Sequence, residues 1–599
     1  QDIAGYKSGT PARILQEDSV VPTASRNRFH VLGRLRPRLP AMLRFDREPQ
    51  PQKRKHKKLA SYYEVQDQPI LILTLLLSVQ HLLAMQGSTI YHPKLLSQFL
   101  CTEENSPIIG LLVGSATFMS GLGTFVQATV GIRLPVFQRS SLALKSSALA
   151  ELRFNVKPCP QNATSDADLW RSRVLQVQAT LAVGAITELL MGAVGLVGMM
   201  QRWMTPLTMT PIITLIGIST LSTATEPAST SWTLSGITVI SIALLSHYLR
   251  RYNTSSEYIL VKRMNDVITF LTILPILFTV AVVWLLCHIL TVNNYFPEQH
   301  PARTDNMALA FGNATWFRIP YPRNAVQWGM PIVNMEAIIS AIIINVLTIM
   351  ESVCDYYACA IIAGFPPPPP RAVNRAIFTE GFGCCVAGLL GCGLAYETQT
   401  IHLGVLACAS LRVTQVTAVL MILLGVMTKV GVFVLSIPAP IIGGLLLVLL
   451  PTFTGVGLAH LRYVDLTSNR NVFIIGVSLT FGIIVPSHIG PPASFNVTTI
   501  RIVDKALYTF FSTGSVIGGA IGCFLDHTIP GTEEERGILK FREGFSEPSS
   551  RSVLTNDPLR YWHAYSAPCF EKLLKRFPAM RKLPLMPEKE NHATFLEEE

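Results

Sequence analysis

Windows of about twenty mostly apolar residues recur along this chain from about Pro69 to about Leu525, and few folds can absorb them. A backbone that enters hydrocarbon must satisfy each N–H and C=O internally, so such windows predict membrane-crossing helices. The composition agrees: 599 residues that are 49% hydrophobic and 15% charged suit no soluble multidomain protein. Counting the windows gives about twelve full spans plus two short, polar ones. The full spans are expected at 69–91, 107–131, 174–200, 207–226, 232–250, 266–291, 334–363, 374–393, 413–436, 439–461, 472–489 and 506–525, the short ones at 132–150 and 398–410.

The net charge of +11 does not imply nucleic acid, because Lys and Arg gather in the N-terminal tail and in alternate short loops. Residues 1–68 end in Lys53-Arg-Lys-His-Lys-Lys58 and lack apolar periodicity, so a disordered cytosolic tail is expected, able to lie on anionic lipid. No signal peptide is expected, since the first apolar run begins near Pro69. With both short segments counted as crossings and the N-terminal tail inside, Arg133, Arg202, Arg250, Arg371, Arg412 and Arg470 all fall inside, as does a C-terminal tail at 531–599. The sequons at Asn162, Asn313 and Asn496 then fall outside, where Asn162 and Asn313 are expected to carry glycan, and that at Asn253 falls in the cytosol. The eleven cysteines have no metal or redox spacing, and a Cys101–Cys159 disulfide stays open. Pro366 to Pro370 forms a stiff spacer between two halves.

Inside the span 334–363, Glu351 and Asp355 are spaced i, i+4, which stacks both carboxylates on one helix face. Buried there, they need a cation, a proton or a polar ligand; the alternative is a helix end in headgroup water, against which apolar and small residues continue to Gly364. No nucleophile, metal cluster or phosphate loop lies near them in sequence, which argues against an enzyme. The short segments stand third in the first seven crossings and third in the second seven. That placement predicts an all-α polytopic protein of fourteen crossings in a 7+7 inverted repeat, with half-helices at crossings 3 and 10 whose N-termini can face a bound anion. The alternative is that both are re-entrant or surface loops.

Six stretches, Gly131-Ile-Arg-Leu-Pro135, Glu351-Ser-Val-Cys-Asp-Tyr-Tyr-Ala-Cys-Ala360, Asn374-Arg-Ala-Ile-Phe-Thr-Glu-Gly381, Gly388-Leu-Leu-Gly391, Asn469-Arg-Asn-Val-Phe473 and Thr528-Ile-Pro-Gly-Thr-Glu-Glu-Glu-Arg-Gly537, occur in one order. Together they resemble the nucleobase–ascorbate transporter family, solute carrier family 23, and most of all its animal sodium-dependent vitamin C transporters. The resemblance implies a transporter domain at 69–530 with a core (69–200 and 334–436) moving against a gate (207–291 and 439–527) in elevator fashion. It further implies a multi-pass plasma-membrane protein, a homodimer in the lipid bilayer, and sodium as a co-transported ion with no other cofactor. By the same resemblance Asp355, Glu351 and Ser140 would hold sodium, and Glu351, His81, Ser140, Ser141, His402 and Gly404 would meet the solute. Carboxylates, hydroxyls and free carbonyls are the hard oxygens that sodium prefers.

The family signature is altered here. Ile401, His402 and Ala409 stand where the signature has Gln, Glu or Pro, then Asn, and Thr; Leu403 fills its free position and only Gly404 survives, while Leu142-Ala-Leu-Lys-Ser-Ser147 replaces an aromatic stretch and introduces Lys145. An ammonium on a half-helix must meet an acid or an anion, so Lys145 is expected to face Glu351, Asp355, Glu397 or an anionic solute. Three functions follow: sodium-coupled uptake of a small polar solute with ascorbate first, nucleobase transport second, and a transport-inactive paralogue acting as a membrane interaction protein third.

Overall fold

The computed structural model describes Tyr63, most of residues 65–101, 107–140, 167–249, 259–306, 335–393, 396–490, 497–543 and 565–587, and a few residues of 311–332. Nearly every element is helical: α1 (Leu71–Phe99), α2 (Pro107–Thr129), α3 (Ala167–Val194), α4 (Pro206–Ser219), α5 (Leu221–Ser229), α6 (Trp232–Ala243), α7 (Ile259–Ile273) and α8 (Pro275–Val292). The second half follows with α9 (Met335–Ala363), α10 (Pro370–Leu389), α11 (Ile401–Leu406), α12 (Leu411–Val426), α13 (Thr428–Leu435), α14 (Ala439–Leu449), α15 (Pro451–Ala459), α16 (Asn469–His488), α17 (Arg501–Ser512) and α18 (Gly514–Thr528). Two short helices, α19 (Ile538–Glu543) and α20 (Pro568–Arg576), belong to the C-terminal segment. Two short strands, β1 (Phe137–Ser140) and β2 (Tyr396–Gln399), interrupt the helical pattern.

Among the described residues seven helices are long and apolar enough to cross a bilayer, or nine if two bent pairs each count as one span. That is fewer than the windows predict, for a physical reason. Helix α10 buries Asn374, Arg375 and Glu380 against its neighbours, so its polar groups are met by protein and its face need not be apolar. The expected spans also break. Pro275 starts a new helix after α7, since proline lacks the N–H and crowds the carbonyl four residues back, whereas Leu450 before Pro451 stays helical and α14 and α15 run on as one span. Met427 leaves the helical region and turns α13 by 106° from α12, and Thr513 turns α18 by 84° from α17. At the Met427 break the Val426 carbonyl accepts the Arg318 N–H at 2.8 Å. Lys429 closes the same corner, its ammonium 5.1 Å from the Phe311 ring and 5.0 Å from Trp316.

The helices pack in two sets. In one, α2 lies along α12 and α3 along α10, with α1 against α12 and α9 against α3. In the other, α4 meets α15, α16 and α18, and α14 meets α5 and α6. Between the sets, α1 touches α8 and α14, while α9 touches α17 and α4. Close backbone approach fixes the first set: a Cβ on Gly121 would come within 2.7 Å of the Ile422 nitrogen, and one on Gly388 within 2.6 Å of the Ala182 nitrogen. A buried pivot holds the second. Asp526 on α18 binds Arg470 of α16 at 2.9 Å, Arg536 at 3.0 Å and the hydroxyl of Thr205, the N-cap of α4, at 2.7 Å.

Candidate functional site

β1 lies within the first short segment, β2 straddles the start of the second, and both lie deep between helices, where backbone polar groups have no water to bond. They satisfy one another as an antiparallel pair in the register Phe137 to Gln399, Gln138 to Thr398, Arg139 to Glu397 and Ser140 to Tyr396. Alternation along a strand then sorts these eight buried residues onto two faces. Gln138, Ser140, Tyr396 and Thr398 share one face. Phe137, Arg139, Glu397 and Gln399 share the other.

The first face is an anchor. The Gln138 amide side chain donates to Thr398 Oγ1 at 2.8 Å, and the Gln138 backbone N–H donates to Thr124 of α2 at 2.9 Å. Glu380 of α10 accepts from Thr398 N at 3.2 Å and Thr398 Oγ1 at 2.9 Å, and from Ser352 and Tyr356 of α9 at 2.7 Å each. The Tyr396 hydroxyl donates to the Ala116 carbonyl at 3.1 Å, and Ser140 Oγ lies 3.1 Å from His92 Nδ1. The entry to β1 is tied in the same way, the Gly131 carbonyl accepting from Arg375 Nε at 2.9 Å.

The second face holds chemistry. Arg139 Nη2 lies 2.9 Å from Glu397 Oε1, with side-chain exposures of 2% and 9%, and the guanidinium sits 5.9 Å from the Phe453 ring of α15. Asp355 is within Coulombic reach of Arg139, Glu397 and Glu351, and Glu351 within reach of Arg139 and Glu397. Phe137 stacks on His81 of α1 at 5.2 Å with 16° between the rings, and Gln399 is buried beside them in register. One described cation is therefore paired with Glu397 and lies within electrostatic range of two further carboxylates, with an aromatic pair and an amide at the other end of the strands. Glu351 accepts from Ser515 of α18 at 2.8 Å, which links α9 to the second helix set. Both line a cavity of about 490 Å³, otherwise largely apolar, walled by Ile212, Val346, Met350 and Phe510.

Of the residues picked out by sequence, Glu351, Asp355 and His81 therefore lie round this face. Ser140 does not: alternation turns it to the anchor face, against His92. His402 and Gly404 are on α11, directly after β2, where the backbone course alone is described. Ser141, Lys145, Asn162 and Asn313 lie outside the described residues. Cys101 is disulfide-bonded, and Cys159 lies outside the described residues. Missed by sequence were Arg139, Gln399, the role of Glu397 as its ion partner, and the Glu380 anchor. The signal that could have found them is the alternation of Gln138/Arg139 and Glu397/Thr398, polar residues of opposite charge in two short segments that must meet.

A family model described as a permease family matches residues 73–490. Solute carrier family 23 member 1 of Rattus norvegicus is 34% identical over 553 residues, covering 88% of this chain and 89% of that protein. Solute carrier family 23 member 2 of Homo sapiens is 33% identical over 550 residues, covering 88% and 82%. Nucleobase-ascorbate transporter 12 of Arabidopsis thaliana is 26% identical over 542 residues, covering 83% and 73%.

Proposed function

The chain belongs to the nucleobase–ascorbate transporter family, solute carrier family 23, and from that premise we propose that it carries a small, neutral, planar polar solute of the nucleobase class across the plasma membrane, coupled to sodium. It is a multi-pass membrane transporter and not an enzyme. The observation that carries the solute class is the second strand face: Arg139, Glu397, Asp355 and Glu351 offer both donors and acceptors, with Phe137, His81 and Gln399 beside them. A flat base wants an aromatic surface and an amide or carboxylate on its edge. Ascorbate, which the sequence put first, is an anion, and three carboxylates against one described cation leave the site net negative even with one sodium bound, so the charge balance favours a base. The same excess of carboxylate suits sodium at Asp355 and Glu351, whose oxygens are of the hard type it takes.

The fourteen-crossing 7+7 layout is supported by a recurrence in the packing. With β1 in crossing 3 and β2 in crossing 10, adding seven to each partner turns α2–α12 into α10–α3, α1–α12 into α9–α3, α1–α8 into α9–α17 and α1–α14 into α9–α4. Helix boundaries recur too, after α3 and α12, after α4 and α14, and after α7 and α17. The first helix set then acts as core and the second as gate, with Glu351–Ser515 and Arg139–Phe453 as contacts that part when the core moves.

The test is uptake in transfected cells of labelled hypoxanthine and ascorbate, each competed with uracil, urate, hypoxanthine and ascorbate, in sodium and in sodium-free medium. Saturable, sodium-dependent hypoxanthine uptake that ascorbate competes weakly is the expected result. Uptake of ascorbate alone would overturn the solute class, and no uptake of either by protein at the surface would leave the inactive paralogue.

A further inference from the structure

Resting on that solute reading, we infer that Glu397 masks the charge of Arg139, so that the pair filters solutes by charge and Glu397 is a specificity-determining residue. The β1–β2 register sets the two residues opposite one another on the solute face, and burial leaves their 2.9 Å ion pair with little screening by water. Arg139 is thereby neutralised as a charge but not exhausted as a donor: its Nε–H has no hydrogen-bond partner among the described residues. That N–H is fully buried here, so a neutral solute can accept from it only once the two helix sets part. An anion finds the guanidinium already paired and meets Asp355 and Glu351 nearby.

A purely structural rivet between the strands explains the pair less well. The strands are already pinned from their other face by Thr124, Gln138, Thr398 and Glu380. A buried ion pair can often be replaced by apolar residues of similar volume without loss of stability, so stability alone gives no reason to bury one here. Its second neighbour, Phe453, belongs to the opposite helix set, which puts the guanidinium at the boundary where a solute would enter.

Glu397→Gln keeps the side-chain shape and removes the mask. The full-length protein is expressed in cells at fixed sodium, and the concentrations of ascorbate and hypoxanthine that halve labelled hypoxanthine uptake are compared. E397Q should lower the ascorbate-to-hypoxanthine ratio by at least about tenfold. R139Q/E397Q, uncharged at both positions, should return the ratio to within about threefold of wild type. A rivet would lower uptake of every solute in E397Q and leave the ratio unmoved, and that outcome overturns the inference. If E397Q does not reach the surface, the double variant decides: a ratio that shifts towards ascorbate refutes the mask. Wild-type protein that takes up neither solute would sink the base reading alone. The inference then stands or falls on purified protein, where E397Q is expected to bind ascorbate at least about tenfold more tightly than wild type does.

Discussion

Replacing Glu380 by Gln tests whether the strand pair is held from its anchor face. Glu380 is buried on α10 and its two oxygens collect four hydrogen bonds, from Ser352, Tyr356 and both the N–H and the hydroxyl of Thr398. Gln is isosteric, but its NH2 confronts donors where an acceptor stood, so about two of these bonds are lost. Whether the loss matters turns on charge. Neutral interhelical bonds in membranes average about 0.6 kcal/mol, whereas bonds to a charged acceptor contribute about 1.5–3 kcal/mol each. Two of the latter come to about 3–6 kcal/mol. The unfolding midpoint in detergent, followed by intrinsic fluorescence, should then fall by at least about 5 °C. Tyr356→Phe, which removes one donor and leaves the other three, should fall by about half as much. Because Thr398 adjoins Glu397 on β2, solute uptake should fall in E380Q as well. A variant with a midpoint within about 1 °C of wild type and full uptake would refute the reasoning.

Asp526→Asn removes the charge that Arg470, Arg536 and Thr205 share, and should cost about 3 kcal/mol because it leaves the largely buried Arg470 guanidinium and the part-buried Arg536 without their acid; the same detergent midpoint checks it. Asp355→Asn should weaken apparent sodium affinity by about 5-fold to 150-fold, from about 1–3 kcal/mol for one anionic oxygen, with surface expression kept; sodium titration of uptake is the assay, and an unchanged sodium curve excludes Asp355 as a ligand. Ending the chain after Glu543 should lower the midpoint by several degrees, since residues 565–587 give backbone carbonyls to Arg133, Arg371 and Arg375 and set Phe570 against Arg375 at 5.2 Å; an unchanged midpoint would mean that the segment does not dock. Asn162 or Asn313, but not Asn253, should take glycan, and a glycan-dependent gel shift lost on removing Asn253 alone would reverse the topology.

The parts of this protein legible from sequence were those governed by local spacing. Helical, multi-pass character followed from the apolar windows, and the meeting of Glu351 with Asp355 followed from an i, i+4 interval inside one of them. The break at Pro275 had a visible signal in proline, yet hydropathy averaged over a window runs straight across such a residue. Met427 had none, because the conformation there is tied to a distant loop through Arg318 and Lys429. Ser140 and Arg139 were the opposite case. They are adjacent in sequence, and whichever is taken as the site residue, its neighbour must face away, a choice fixed by pairing with a strand some 258 residues later.

That long-range pairing explains why the altered signature need not mean a lost site. What brings the two short segments together is their backbone pairing and the anchor face, whose hydrogen bonds run through Gln138, Thr398 and Glu380. A four-residue strand exposes only two side chains to each side, so two substitutions in register are enough to rewrite what the site face offers without touching what holds it. Arg139 and Glu397 are one pair of positions on that face, and Phe137 and Gln399 are the other. A face so small and so firmly held from behind can therefore change its solute while the packing of the surrounding helices stays as it is.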